Sequence, residues 1–238
     1  MNKYPIISII IATYNAERTL EETLKSIVCQ DYKNIELIIV DGVSTDATLD
    51  IIQRYNKIVA TLISEPDKGI YDAMNKGLGI ASGDWCLFLG ADDILYDKNV
   101  ISKAVNCFVK SDTIYYGDVI MKSTKKVYHG LIKSATDFCR RNICHQSIFY
   151  PRTIYKNKKY NLIYPMWADY VYNLELYSED PSKFVYIAQT ISIFDDNGAS
   201  KNGDGIFKDN RFRITKDLFG LKMALKIWFG SKIKSLFR

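Results

Sequence analysis

No stretch of this chain is long and apolar enough to cross a membrane as a helix. The longest apolar run, Ile6 to Ala12, is broken by Ser8 and falls far short of the ~20 residues a span needs. Its start, Met1-Asn2-Lys3-Tyr4-Pro5, lacks the apolar segment and small-residue cleavage site of a secretory signal, so the expected location is the cytoplasm. The five cysteines (Cys29, Cys86, Cys107, Cys139 and Cys144) are odd in number, and no pair has the spacing of a zinc knuckle or a redox motif. They are expected to be reduced thiols. Low-complexity tracts and internal repeats are also missing, which argues against disorder and against a solenoid. A basic body suited to nucleic acid is absent too. The net charge of +5 comes from 32 basic and 27 acidic residues, and from Thr215 onward six basic residues face only Asp217. That surplus of five leaves the rest of the chain neutral, so no nucleic-acid partner is expected.

What is present is an alternation. Ile6 to Ala12 is β-branched and nearly continuous, as in a central parallel strand covered on both faces, and Ala16 to Val28 then carries Leu20, Leu24, Ile27 and Val28 at helical spacing. A strand over Ile35 to Val40 ends at Asp41-Gly42, with Ser44, Thr45 and Asp46 as candidate caps for a helix through Ile51 and Ile52. Ile58 to Ile63 reads as a third strand, Ile70 to Ala81 as a helix and Trp85 to Leu89 as a fourth strand. This βαβα order predicts a parallel sheet with helices on both sides. Beyond Asp93 the order loosens. Asn99 to Phe108 reads as a helix, 113–116, 119–121 and 147–150 as short strands, Met166 to Asp169 as the start of a helix, and Phe184 to Phe194 as a last strand. Mixed or antiparallel pairing is expected there, followed by a Gly- and Asp-rich loop from Asn197 to Gly205 long enough to move.

Four strand ends should converge on the carboxyl edge of that sheet, where open α/β folds bind ligands: Tyr14, Asp41, Glu65 to Asp67, and Asp92 with Asp93. Adjacent carboxylates repel one another until a hard divalent cation, Mg²⁺ or Mn²⁺, draws oxygen ligands from them, and such a cation can hold a diphosphate. An aromatic ring at Tyr14 can lie against a base, and Asp41 can accept from a base imino group or a ribose hydroxyl. Each position also has an ordinary explanation. Tyr14-Asn15 could be a strand-to-helix turn, Asp41 a turn acid, Asp67 an N-cap and Asp92-Asp93 an Asp-rich turn. Taken together they favour a nucleotide diphosphate.

Thr13-Tyr14-Asn15, Val40-Asp41-Gly42-Val43-Ser44-Thr45-Asp46, the run from Glu65 to Gly77 and Leu89-Gly90-Ala91-Asp92-Asp93 resemble, in order and spacing, the motifs of family 2 glycosyltransferases. The likeness covers about the first hundred residues closely and continues more loosely through His145-Gln146-Ser147 and Ala168-Asp169-Tyr170. It implies a GT-A fold, a mainly parallel mixed sheet flanked by helices, with a nucleotide-sugar donor (UDP first), a divalent metal and an inverting mechanism. Carried over position by position, Ala12, Tyr14, Asp41, Asp67, Asn75, Ala91 and Asp92 would bind the donor. Asp92 and Asp93 match the acidic metal motif, and Asp169 matches the general base. His145 would be an acceptor or phosphate contact, or a structural donor. Many members carry an acid where this chain has Gly90, so the metal would rest on fewer protein carboxylates.

The expected organisation is a catalytic domain over 1–214, with a nucleotide half (1–97) and an acceptor half (98–214), and a basic amphipathic tail over 215–238. In the tail Leu218, Leu221, Leu225, Trp228, Ile233 and Leu236 fall near one helical face with Lys222 and Lys226 beside it, a pattern suited to an anionic membrane surface. No Gln-x-x-Arg-Trp motif is present, so one sugar per visit is expected, added to a saccharide carried on a polyprenyl diphosphate in bacterial O-antigen, capsule or exopolysaccharide assembly. The protein would then sit peripherally on the inner face of the cell membrane. Two other readings share the residues. A sugar nucleotidyltransferase would need a Gly-rich basic loop after the first strand, and Ala12 to Glu17 contains no glycine; a silent nucleotide-sugar-binding protein would have no use for Asp169.

Overall fold

The structure, a computed structural model, describes residues 4–196, 198 and 203–236. β1 (Ile7–Thr13), α1 (Leu20–Val28), β2 (Ile35–Asp41), α2 (Thr48–Arg54), β3 (Val59–Ser64), α3 (Ile70–Ile80) and β4 (Trp85–Gly90) form a parallel sheet in the order β3-β2-β1-β4. The β-branched run Ile9-Ile10-Ile11 within β1 has a direct cause. Ile10 faces one core with Ile38, Met74 and Phe88, while Ile9 and Ile11 face a second core with Leu20, Leu24, Ile39 and Leu87, so neither side of the strand reaches water. Helix α3 lies so close to β1 that a methyl group at Gly77 would stand 2.5 Å from the Cγ2 of Ile10.

The second half is mixed, as its looser patterning suggested. It comprises β5 (Ile94–Leu95), α4 (Val100–Asn106), β6 (Ile114–Met121), β7 (Val127–Tyr128), α5 (Ala135–Phe138), β8 (Ile148–Pro151), α6 (Arg152–Tyr155), α7 (Ala168–Glu179), β9 (Phe184–Phe194), α8 (Gly205–Phe219) and α9 (Leu221–Leu236). Strand β8 runs antiparallel to both β4 and β6, and β9 lies parallel to β6, which extends the first sheet into one nine-stranded sheet. The two short strands expected at 113–116 and 119–121 are a single strand. Its register shifts at Gly117, where the carbonyl of Gln189 approaches too closely for any side chain.

The tail is two helices rather than one. Position 215 falls inside α8, and the break comes at Gly220, whose φ of +84° ends α8 and whose N–H donates to the carbonyl of Lys216 at 2.8 Å. Helix α8 buries Phe207, Ile214 and Thr215, and α9 buries Ala224 and Ile227. Leu221, Leu225, Trp228 and Phe229 stay exposed on α9. Of the loop expected to move, Asn197 and 199–202 lie outside the described residues. Asp204 is anchored: it is 1% exposed, accepts from the Phe207 N–H as the cap of α8, and accepts from the N–H groups of Met166 and Trp167 at the entry to α7.

Candidate active site

Register brings the strand ends level. Thr13 pairs with Asp41, Ala12 with Gly90 and Asp41 with Ser64. Tyr14 is 64% exposed beside Gly42, and a Cβ added at Gly42 would stand 3.4 Å from the Tyr14 ring and 2.7 Å from Oδ2 of Asp67. Tyr14 and Asp67 therefore flank a slot floored by bare backbone. Asn15 and Val43 at its rim take positive φ values of 48° and 65°, and the loops they belong to are stitched together: Asn15 N–H donates to Ser44 Oγ, and Thr45 N–H donates to Asn15 Oδ1.

Asp41 is not on the wall of this slot. It is fully buried, with Oδ1 accepting from Ser44 Oγ at 2.5 Å and Oδ2 accepting from Ser44 N–H and Ser64 Oγ. Its visible work is to close its own turn through Ser44 and to tie that turn to the end of β3 through Ser64. Asn75, also expected to touch the donor, is buried with both amide atoms spent on the backbone of Tyr160, at 2.9 and 2.8 Å. Of Ala12 and Ala91, both half-buried at the ends of β1 and β4, Ala91 lends its carbonyl to Thr23 Oγ1. Asp67 accepts from the Gly69 N–H at 2.8 Å and keeps Oδ2 towards Gly42.

The acidic pair divides into two roles. Asp93 is 1% exposed, and its oxygens accept from the N–H groups of Asp195 (2.8 Å) and Gly90 (3.1 Å) and from Gln146 Nε2 (2.9 Å). Burial nevertheless outweighs those donors and keeps its pKa raised. Asp92 is half-buried, and burial together with the neighbouring Asp93 charge pushes it up to about 6. A methyl group at Gly90 would come within 2.5 Å of the Asp93 carboxylate and 2.8 Å of the Asp92 carboxylate, so any side chain there would have to displace one or both acids. Among the described residues no three His, Cys, Asp or Glu side chains gather as a metal site. A raised, solvent-facing carboxylate lacking a direct cation fits a divalent ion whose remaining ligands are phosphate oxygens and water.

Asp169 sits in the first turn of α7, 5% exposed. Oδ1 accepts from the Tyr71 hydroxyl and from the Tyr170 N–H, both at 2.8 Å; Oδ2 accepts from Asn142 Nδ2 at 2.9 Å and has Nδ1 of His145 at 3.4 Å. Only Oδ2 retains capacity for a further proton donor at good geometry. The 3-10 turn His145–Ser147 joins the two acid sites, because Gln146 holds Asp93 while His145 faces Asp169. Tyr71, Asn142 and Gln146 are working residues that motif matching did not assign. Tyr71 and Gln146 stood inside quoted motifs, and nothing local marked Asn142.

The sequence model of glycosyl transferase family 2 matches residues 8–179, which takes in Tyr14, Asp41, Asp67, Asp92, Asp93, His145 and Asp169. The chain belongs to glycosyl transferase family 2. Among similar proteins, the PGL/p-HBAD biosynthesis glycosyltransferase of Mycobacterium bovis is 37% identical over 205 residues, 83% of this chain and 80% of that one. The putative teichuronic acid biosynthesis glycosyltransferase TuaG of Bacillus subtilis is 40% identical over 95 residues, 39% of this chain and 38% of its own length. In three dimensions this family 2 glycosyltransferase is similar to the 1–349 fragment of S. aureus TarS in complex with UDP-GlcNAc, with a TM-score of 0.71 at 18% identity over 90% of this chain and 65% of that one. It is also similar to a mannosyltransferase from Pyrobaculum calidifontis in complex with GDP-Man and Mn²⁺, with a TM-score of 0.64 at 17% identity over 96% and 75%. Those likenesses establish the GT-A fold.

Proposed function

We propose that the chain moves one sugar from a nucleotide sugar, UDP-linked by preference, to a hydroxyl of a lipid-linked saccharide, with inversion at the anomeric carbon. The observation that carries this is Asp169, whose carboxylate is fixed on both oxygens yet keeps room at Oδ2, one residue of a short turn away from the acid pair. A hydroxyl is a weak nucleophile until its proton is removed, and Oδ2 of Asp169 takes that proton as the oxygen closes on the anomeric carbon. Tyr71 and Asn142 aim the carboxylate. On the opposite side Asp92 is the chain's ligand for Mn²⁺ or Mg²⁺, and Asp93, already committed to three donors, shapes the turn instead of binding metal. When bound, the cation offsets negative charge on the departing diphosphate. Tyr14, Gly42 and Asp67 form the nucleoside slot, and the buried Asp41 holds its floor. The similar proteins bound to UDP-GlcNAc and to GDP-Man with Mn²⁺ support the donor class and the metal. Screening nucleotide sugars with and without Mn²⁺ tests the proposal: a UDP-sugar should be consumed only with the cation. A folded protein that consumes no donor under either condition would sink it.

The acceptor side of the proposal is a membrane. No helix among the described residues is long and apolar enough to cross a bilayer. Helix α9 nevertheless leaves Leu221, Leu225, Trp228 and Phe229 exposed beside Lys222 and Lys226, while Ala224 and Ile227 pack inward. This suits peripheral attachment to anionic lipid on the inner face of the cell membrane, in the assembly of O-antigen, capsule or a related surface glycan. Replacing Leu221, Leu225 and Phe229 together by glutamine leaves Ala224, Ile227 and the Trp228 that packs beside them in place, and it should release the protein from phosphatidylglycerol liposomes. Sedimentation with liposomes undiminished from wild type would remove the membrane from the proposal.

A further inference from the structure

A cavity of about 290 Å³ is lined in part by Asn142, the residue that donates to Oδ2 of Asp169. Its walls include Tyr128, Trp167, Tyr170 and Phe207, and it carries three guanidinium groups, Arg140, Arg141 and Arg211. One of the three is neutralised: Arg141 grips Asp137 through Nε and Nη2, at 3.0 and 3.1 Å, and donates to the carbonyls of His129 and Leu131. The other two are not. Among the described residues no carboxylate lies within ion-pair distance of Arg140 or Arg211. Arg211 gives Nη2 to the carbonyl of Cys139 at 2.7 Å, while its Nε is buried with no hydrogen-bond partner among the described residues. A buried donor left unmet is costly and calls for a missing acceptor.

From this we infer that Arg140 and Arg211 bind an oxyanion of the acceptor, a phosphate ester or a sugar carboxylate, placed within about one sugar unit of the hydroxyl that Asp169 deprotonates. The inference rests on the glycosyl-transfer reading and names the acceptor's chemistry. Aromatic walls suit the faces of a sugar ring, and paired guanidiniums suit the geometry of phosphate and carboxylate. Asn142 lies between the two sites: it borders the cavity and donates to Oδ2 of Asp169, so a ligand seated on the arginines presents its neighbouring ring to the base. The cavity also adjoins the tail. A methyl group at Gly230 on α9 would stand 3.1 Å from Nη2 of Arg140, which sets the anion site against the helix with the exposed apolar residues.

Calorimetric titration of the full chain tests this in EDTA, where no cation can hold a diphosphate at Asp92. The probes are inorganic pyrophosphate, farnesyl diphosphate and methyl glucuronoside, with methyl glucoside as the neutral control. At least one anionic probe should bind more tightly than the glucoside. Arg140→Gln and Arg211→Met should each weaken it by about ten- to a hundredfold, the loss of one charge-assisted bond. Arg140 is exposed, so its variant should fold even if Arg211→Met does not. Preference for farnesyl diphosphate would assign the oxyanion to a lipid carrier, and preference for the glucuronoside would assign it to a uronic acid. No anionic probe exceeding the glucoside, or undiminished affinity in Arg140→Gln, would overturn the inference. Separate titration of the wild type with UDP-sugar and Mn²⁺ reports on the donor site, so failure there is read independently.

Discussion

Asp169→Asn is expected to leave nucleotide-sugar binding unchanged and to slow transfer by about 10²–10⁴-fold, the usual worth of a positioned general base. The amide keeps the shape of the carboxylate, and its oxygen can still accept from Tyr71 or Asn142, so the start of α7 should stay in place. What it loses is an oxygen that can hold the acceptor's proton. Single-turnover product formation beside a donor titration makes the comparison, and near-wild-type turnover would retire Asp169 from the role. Tyr71→Phe supplies an internal check. It removes the 2.8 Å hydrogen bond without removing the base, so the loss of rate should be much smaller.

Neighbouring aspartates should respond to substitution in opposite ways. Asp93→Ala strips the acceptor from two backbone N–H groups and from Gln146 Nε2, and the unmet donors should cost about 2–4 kcal/mol of stability. Asp92→Asn should instead preserve or raise stability at neutral pH while abolishing cation-assisted donor binding. The sign follows from the raised carboxyl. Asp92 holds its proton up to about pH 6 when folded, against an ordinary carboxyl value of 3.8, so folding takes up a proton in that interval and stability falls as pH rises through it. Melting in EDTA should therefore show the variant's advantage shrinking as pH is lowered from 7 towards 4. Cation and proton compete for the same oxygens, so Mn²⁺-assisted donor affinity should drop about tenfold for each pH unit below 6. A flat profile, or an Asp92→Asn variant that binds donor with Mn²⁺ as tightly as wild type, would count decisively against Asp92 as the ligand.

The first half of the fold could be read from the chain because each of its signals is local. A β-branched run such as Ile9-Ile10-Ile11 needs two covered faces, and an acid after Val40 or Ala91 marks where a strand leaves the sheet. Asp92, Asp93 and Asp169 were visible for the same reason, as residue types at fixed positions in recurring blocks. What those blocks could not convey was how each oxygen is spent. Asp41 and Asn75 carry the right chemistry for a ligand, but partners 23 residues away at Ser64 and 85 away at Tyr160 claim them in the fold. The tail misled through composition. Its apolar and basic residues suggested one continuous face from 215, yet Gly220 breaks the helix and Ala224 with Ile227, small or unremarkable in sequence, are the side chains that dock. Asn142 and the arginines beside it belong to no motif, and only long-range packing brings them to the base.

Gly90 has a consequence for how the enzyme fills. With glycine instead of a third acid on that turn, and with Asp93 already accepting from three donors, free Mn²⁺ should bind feebly at Asp92 by itself. Ion and nucleotide would then arrive as one package, each completing the other's berth, and the empty protein would circulate demetallated.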